Sequence, residues 1–191
     1  QRNYWKSKAA DVYAETTAKT AATNAANEAE LARQDRVAAE HLRNQANTAK
    51  ANAVTHMSNA KADTARIAGA ANKANAGIWK ERADADVDLA KTAIANAGLN
   101  YNSSITYATL AEAHKNNAWN HYVTADSQRA SRPNSAAAGH RNNALQYFYN
   151  ADAHFHAAKN ARDQALAARD AANRINTEAG QQDAYNAFVD K

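Results

Sequence analysis

From about Lys6 to Ala97 the chain has no proline, and its only glycines there are Gly69 and Gly77. Proline and glycine are the residues that break helices and build turns, so their scarcity leaves little besides a long helix open to this stretch. Apolar residues recur through it at three- and four-residue steps. One position per seven (Ala18, Ala25, Ala32, Ala39, Ala46, Ala53, Ala60, Ile67 and Ala74) is never polar. That is the seam of a packed helix, sustained over about eight heptads. An unbroken helix of this length would reach roughly 140 Å at 1.5 Å per residue. The larger side chains repeat instead at eleven, from Leu31 to Leu42 and from Ile67 through Ile78 to Leu89, a spacing that weakens supercoiling.

The seam is made of the smallest apolar side chain. The 191 residues include 53 Ala and 23 Asn, against 7 Leu, 6 Val, 5 Ile and 3 Phe. Alanine is the strongest helix former, which favours backbone order without a leucine-rich core. It buries little area per residue, at about 25 cal/mol per Å², so cohesion has to come from close helix approach along a great length. β-branched and aromatic residues show no alternating runs, and no strands are expected.

The fold class expected is all-α: an elongated antiparallel helical hairpin or bundle, one domain over residues 1–191. Its first helix spans about 6–97. In "IANAGLNYNSS" Gly98 offers a left-handed cap and Leu99 can fold back on Ile94, giving a tip loop at 98–103. A second helix covers about 104–130. A break at 131–134 follows, with Pro133 or Asn134 starting a helix of about 135–178. Gly180 ends that helix, and a short tail helix covers 182–190. Folding back near residue 101 sets Gly69 opposite Pro133, and lays Phe148 and Phe155 against Val54, Ala53 and Ala46 as large side chains against small. The rival is a four-helix bundle with a turn near 47–52, in a segment without Gly or Pro.

Chemistry-bearing patterns are sparse. His114 and His121 share a helix face, as Asp152 and His156 do, but a di-metal bundle site needs Glu-x-x-His pairs and facing glutamates. No Glu-x-x-His occurs, and only Glu112 and Glu178 lie in the second half. These read as polar-face histidines, with no metal site and no cofactor. Asp84, Asp86 and Asp88 read as a solvated face rather than an acid/base pair. No phosphate loop or nucleophile elbow occurs, so no catalytic residue, no enzyme and no small-molecule ligand is expected. Asn102-Ser103-Ser104 is a glycosylation sequon in the expected tip loop. The many asparagines, among them Asn24, Asn52, Asn59, Asn72 and Asn75, either solvate the surface or pair between helices.

Net charge is +4, but acidic and basic residues interleave and no basic stripe exists, which argues against nucleic acid. There is no cysteine, and no apolar run approaches the roughly 18 residues of a membrane span. The start at Gln1 suggests a processed, secreted or surface chain.

"TAATNAANEAELA" resembles the Thr-Ala-Asn segments of alanine-rich fish antifreeze helices, which implies ice binding. That family's threonines recur every eleven residues, whereas here Thr20 is followed at that spacing by Leu31 and Leu42. In outline, the hairpin is similar to the helical surface-coat proteins of trypanosomatid parasites, with no shared motif. The function expected is a non-enzymatic extracellular or surface structural protein. It would self-associate into a homo-oligomer, coat or filament through Trp5, Tyr13 and Tyr185, leaving Ala32, Ala39, Ala46, Ala53, Ala60 and Ile67 as the inner seam. The alternatives are an apolipoprotein-like protein that lays its helices on lipid, and an alanine-rich ice-binding protein.

Overall fold

A computed structural model describes every residue except Asn134. The chain is an all-α helical bundle, 93% helical, with no strand among the described residues. Among the described residues four helices follow in order: α1 (Arg2–Gly69), α2 (Lys73–Ser131), α3 (Ala137–Asn173) and α4 (Thr177–Val189). They divide into two compact units. One comprises Gln1–Glu40 with Ile105–Ala161, the other His41–Ser104 with Arg162–Lys191.

In the first unit, α1 and α2 run antiparallel, with Asp11 beside Arg132 and Glu28 beside His114. α3 runs parallel to α1. Ala18 and Ala25 pack with Ala125, Ala137 and Ala144; Ala32 packs with Ala118 and Ala151, and Ala39 with Ala111 and Ala158. All of these alanines are fully buried. Each helix therefore supplies an alanine every seven residues, and three rows of alanine form one ladder. Backbones that meet through methyl groups come closer than leucine would allow, and the contacts are dispersion contacts. Tyr107, Tyr122, Tyr147, Phe148 and Phe155 stay half-buried and seal the edges.

The second unit repeats this construction. Ala46 packs with Ala165 and Ala168, and Ala49 with Ala97 and Ala172. At its end Ile67 packs with Ala76, Ala83 and Ala184 under Trp79 and Phe188. The α2 row of Ala76, Ala83, Ala90 and Ala97 ends on Ser104, also fully buried. Its hydroxyl donates to the Tyr101 carbonyl at 2.6 Å, so the one polar rung is satisfied within its own helix.

The turn between the first two helices is not at 98–103. α1 stops at Gly69, and α2 begins at Lys73 and runs unbroken through Gly98 to Ser131. The expected helix of 6–97 is thus broken at 70–72. Asn72 caps the new start, its side-chain oxygen accepting from the Asn75 amide at 2.9 Å. Gly98 has no left-handed conformation, because none of the described glycines has positive φ. A glycine does not end a helix whose alanine row is buried on both sides of it. Gly69 consequently does not face Pro133. Phe148 and Phe155 pack at the Ala32 and Ala39 levels instead of against Val54, Ala53 and Ala46. Ala74 leaves the seam and is exposed, the row resuming at Ala76. Helix α1 also passes straight through 47–52, which removes the rival turn.

The break at Pro133 is present, although the next helix starts at Ala137, whose amide donates to Ser135 Oγ at 3.3 Å. Asn134, the alternative start, lies outside the described residues. α3 ends at Asn173 rather than near 178, because Asn176 caps α4 by accepting from the Ala179 amide at 2.9 Å. Gly180 falls inside α4 and ends nothing. A Cβ there would lie 2.5 Å from Met57 Cε, so the glycine allows α4 to approach α1. The Asn102 sequon is helical too, with its Ser104 buried rather than in a loop.

Candidate interaction surface

Partly buried histidines and carboxylates meet between helices. His114 Nδ1 lies 2.6 Å from Glu28 Oε2, and its Nε2 lies 3.5 Å from Asp35 Oδ2. The two carboxylates sit on opposite ring nitrogens, so no single ion could bind all three groups. Burial pushes the Asp35 carboxyl above its ordinary range, and the nearby His114 charge opposes that shift. In the second unit, His56 Nδ1 and Asp86 Oδ1 are 2.8 Å apart, and Lys80 pairs with Asp84. Asp86 therefore pairs α2 with α1, whereas Asp84 is engaged within its own helix. Among the described residues no group of three His, Asp or Glu is placed to hold a metal ion. None of their helices is long and apolar enough to cross a membrane.

The sequence-predicted seam and contact residues separate cleanly by burial. Ala32, Ala39, Ala46, Ala53, Ala60 and Ile67 are inside. Trp5 is 65% exposed, Tyr13 69% and Tyr185 54%. Trp5 and Tyr13 lie together on the first turns of α1. The reason for their exposure is local: Arg132, just past the end of α2, reaches Asp11 at 3.9 Å, so the turns that carry Trp5 have no helix beside them among the described residues, whereas Tyr13 follows Asp11 on the outer face of α1. At 100° per residue Arg2, Trp5, Lys6, Ala9, Val12 and Tyr13 share one face, opposite the first buried residue, Ala14. Tyr4 stacks edge-on against Trp5, ring centroids 5.3 Å apart, and stiffens the indole. Arg2, Lys6 and Lys8 are this arm's cations, with no acid before Asp11.

Tyr185 is not part of that arm but of α4, in the second unit. There Ala184, Ala187 and Phe188 turn inward, and Lys73 Nζ donates to the Phe188 carbonyl at 2.6 Å, anchoring the helix end. The outer face carries Glu178, Gln182, Tyr185 and Val189. Between α4 and α2 lies an open concavity of about 420 Å³ lined by Lys80, Glu178, Gln181, Gln182 and Tyr185. α4 contains Glu178 and Asp183 and no basic residue.

Sequence reasoning passed over Tyr4, Val12 and the three cations, although the seven-residue step from Trp5 to Val12 repeats the spacing of the inner seam on the opposite face. No family model, no curated protein and no solved structure matches the chain.

Proposed function

We propose that this is a non-enzymatic helical structural protein of the extracellular space or cell surface that associates with copies of itself. The observation that carries the reading is the exposed stripe of Trp5, Val12 and Tyr13, which begins on turns of α1 that lack a neighbouring helix and continues on the outer face of α1 past Asp11. Exposed aromatics with few rotors are favoured anchors in protein interfaces, and tryptophan and tyrosine lead among them. The non-enzymatic part is supported by titratable groups engaged with one another between helices rather than converging on a cleft.

A second reading has an observation in its favour, because the same arm is basic and aromatic and so suits an anionic lipid surface. Against it, the helix faces that would have to open onto lipid are alanine, whose methyl groups add little membrane affinity. Sedimentation velocity over rising protein concentration tests the choice. The expected result is oligomers or filaments that Trp5→Ala weakens and vesicles leave unchanged. A chain that stays monomeric but co-floats with anionic phosphatidylserine vesicles would refute self-association.

A further inference from the structure

We infer that the Trp5 arm of one copy docks on α4 of a second copy, seating its indole in the concavity beside Tyr185; this rests on the self-association proposed above and names its contact. Three independent features of the two surfaces match. The first is charge. Arg2, Lys6 and Lys8 stand on the arm without an acid before Asp11, whereas α4 carries Glu178 and Asp183 without a base. Two cations of α2 stand at the rim of the concavity, and both are already engaged, Lys80 by Asp84 and Lys91 by Asp88 and Gln181. Opposite charge across the two surfaces steers the encounter and fixes the register of one helix on the other.

The second is shape. The arm presents a projecting aromatic, braced by Tyr4, and α4 presents an open hollow of about 420 Å³ whose wall is the exposed Tyr185 ring. The third is hydrogen bonding. Gln182 lines that hollow and offers its side-chain carbonyl to the indole N–H, which needs an acceptor once covered, while the neighbouring Gln181 carbonyl accepts from Lys91 at 3.2 Å. Arm against arm fits none of these, because it would bring three cations on each side together.

A contact between two different surfaces is heterologous: every copy keeps one arm and one α4 available, so association propagates or closes into a ring. This gives a complementation test. Trp5→Ala removes the plug and leaves α4 intact; Tyr185→Ala removes the wall and leaves the arm intact. Both residues are exposed, and circular dichroism should report unchanged helicity in each variant. Each alone is expected to sediment as a monomer, and an equimolar mixture to form a one-to-one dimer that grows no further. Lys6→Glu with Glu178→Lys in the same chain should restore assembly that either change alone weakens. If the wild type assembles and Trp5→Ala abolishes it while Tyr185→Ala and Glu178→Lys do not, the α4 contact is wrong although self-association stands. If the wild type never leaves the monomer, both fall, and binding of the arm to anionic vesicles would assign it to lipid.

Discussion

A buried alanine at a three-way helix contact is held on all sides by backbone, so it tolerates enlargement poorly. Ala46→Leu should destabilise the protein by about 1–3 kcal/mol through overpacking. Ala51, exposed on the same helix, should accept leucine with little change, and equal losses in chemical denaturation would contradict the ladder. The half-buried His154 makes a different kind of demand. Burial, then the Arg36 and Arg33 guanidinium groups, hold its imidazole below the ordinary value of 6.5. A depressed folded-state value means that the neutral ring contributes stability above pH 6.5, and that this is lost as pH falls through the lowered value. His154→Asn should therefore flatten the decline in melting temperature on acidification from 6.5. Asp35 acts with the opposite sign. Its carboxyl is raised from 3.8, so its contribution is full below that pH and is lost as pH rises through the raised value. Asp35→Asn should unfold at a higher temperature than the wild type at neutral pH, and that advantage should vanish below 3.8.

Among the helices, the glycines separate two situations that look alike in sequence. Gly98 lies mid-helix with nothing within 4 Å of a built Cβ, so Gly98→Ala should stabilise by about 0.5–1 kcal/mol. Were it a loop cap with positive φ, the same change would destabilise, and thermal melts distinguish the two. At Gly180 an alanine gains the same propensity but displaces the tip of Met57, and the net gain should be smaller. Asn176→Ala should cost about 1 kcal/mol, as the loss of a cap does. The break at Pro133 was legible because proline removes an amide and constrains the residue before it. The α1 seam was legible because its period is sustained. The turn at 70–72 was not, since it depends on where the seam runs out and on one amide side chain, Asn72, in a chain with 23 asparagines. Register was hidden for a related reason. Where nearly every rung is alanine, no large residue selects its small partner, so Ala76–Ala97 and Ala111–Ala125 do not stand out from the other alanines. Exposure of Trp5, Tyr13 and Tyr185 did not follow from the pattern alone, since Trp79, Phe148 and Phe188 pack half-buried on the same alanine rows. The hollow beside Tyr185 could not be anticipated, because α2 and α4 build it together.

For the molecule as an assembling unit, the decisive property is the unequal charge of its surfaces rather than its net charge of +4. If Lys6 and Glu178 steer association, raising salt to about 1 M, where the screening length is about 3 Å, should weaken it. Contact through Trp5 and Tyr185 should leave a residual affinity that salt does not remove. Light scattering along a salt series reads both contributions. Assembly that strengthens steadily with salt would mean that the aromatics act without the charges.

The alanine ladder also bears on how such a chain can change over generations. Removing 26–32 from α1, 112–118 from α2 and 145–151 from α3 takes out one whole level of the first unit: Ala29, Ala32, Ala118 and Ala151, with Glu28 and His114 leaving together and Asp35 losing its histidine. In each helix an alanine then follows another at the original seven-residue spacing, and the rungs above and below rejoin without a mismatch. The same deletion in one helix alone would leave two partners a level too long. Genes encoding ladders of this kind should accordingly lengthen or shorten in matched triplets of heptads, and length would be free to vary while the cross-section is conserved.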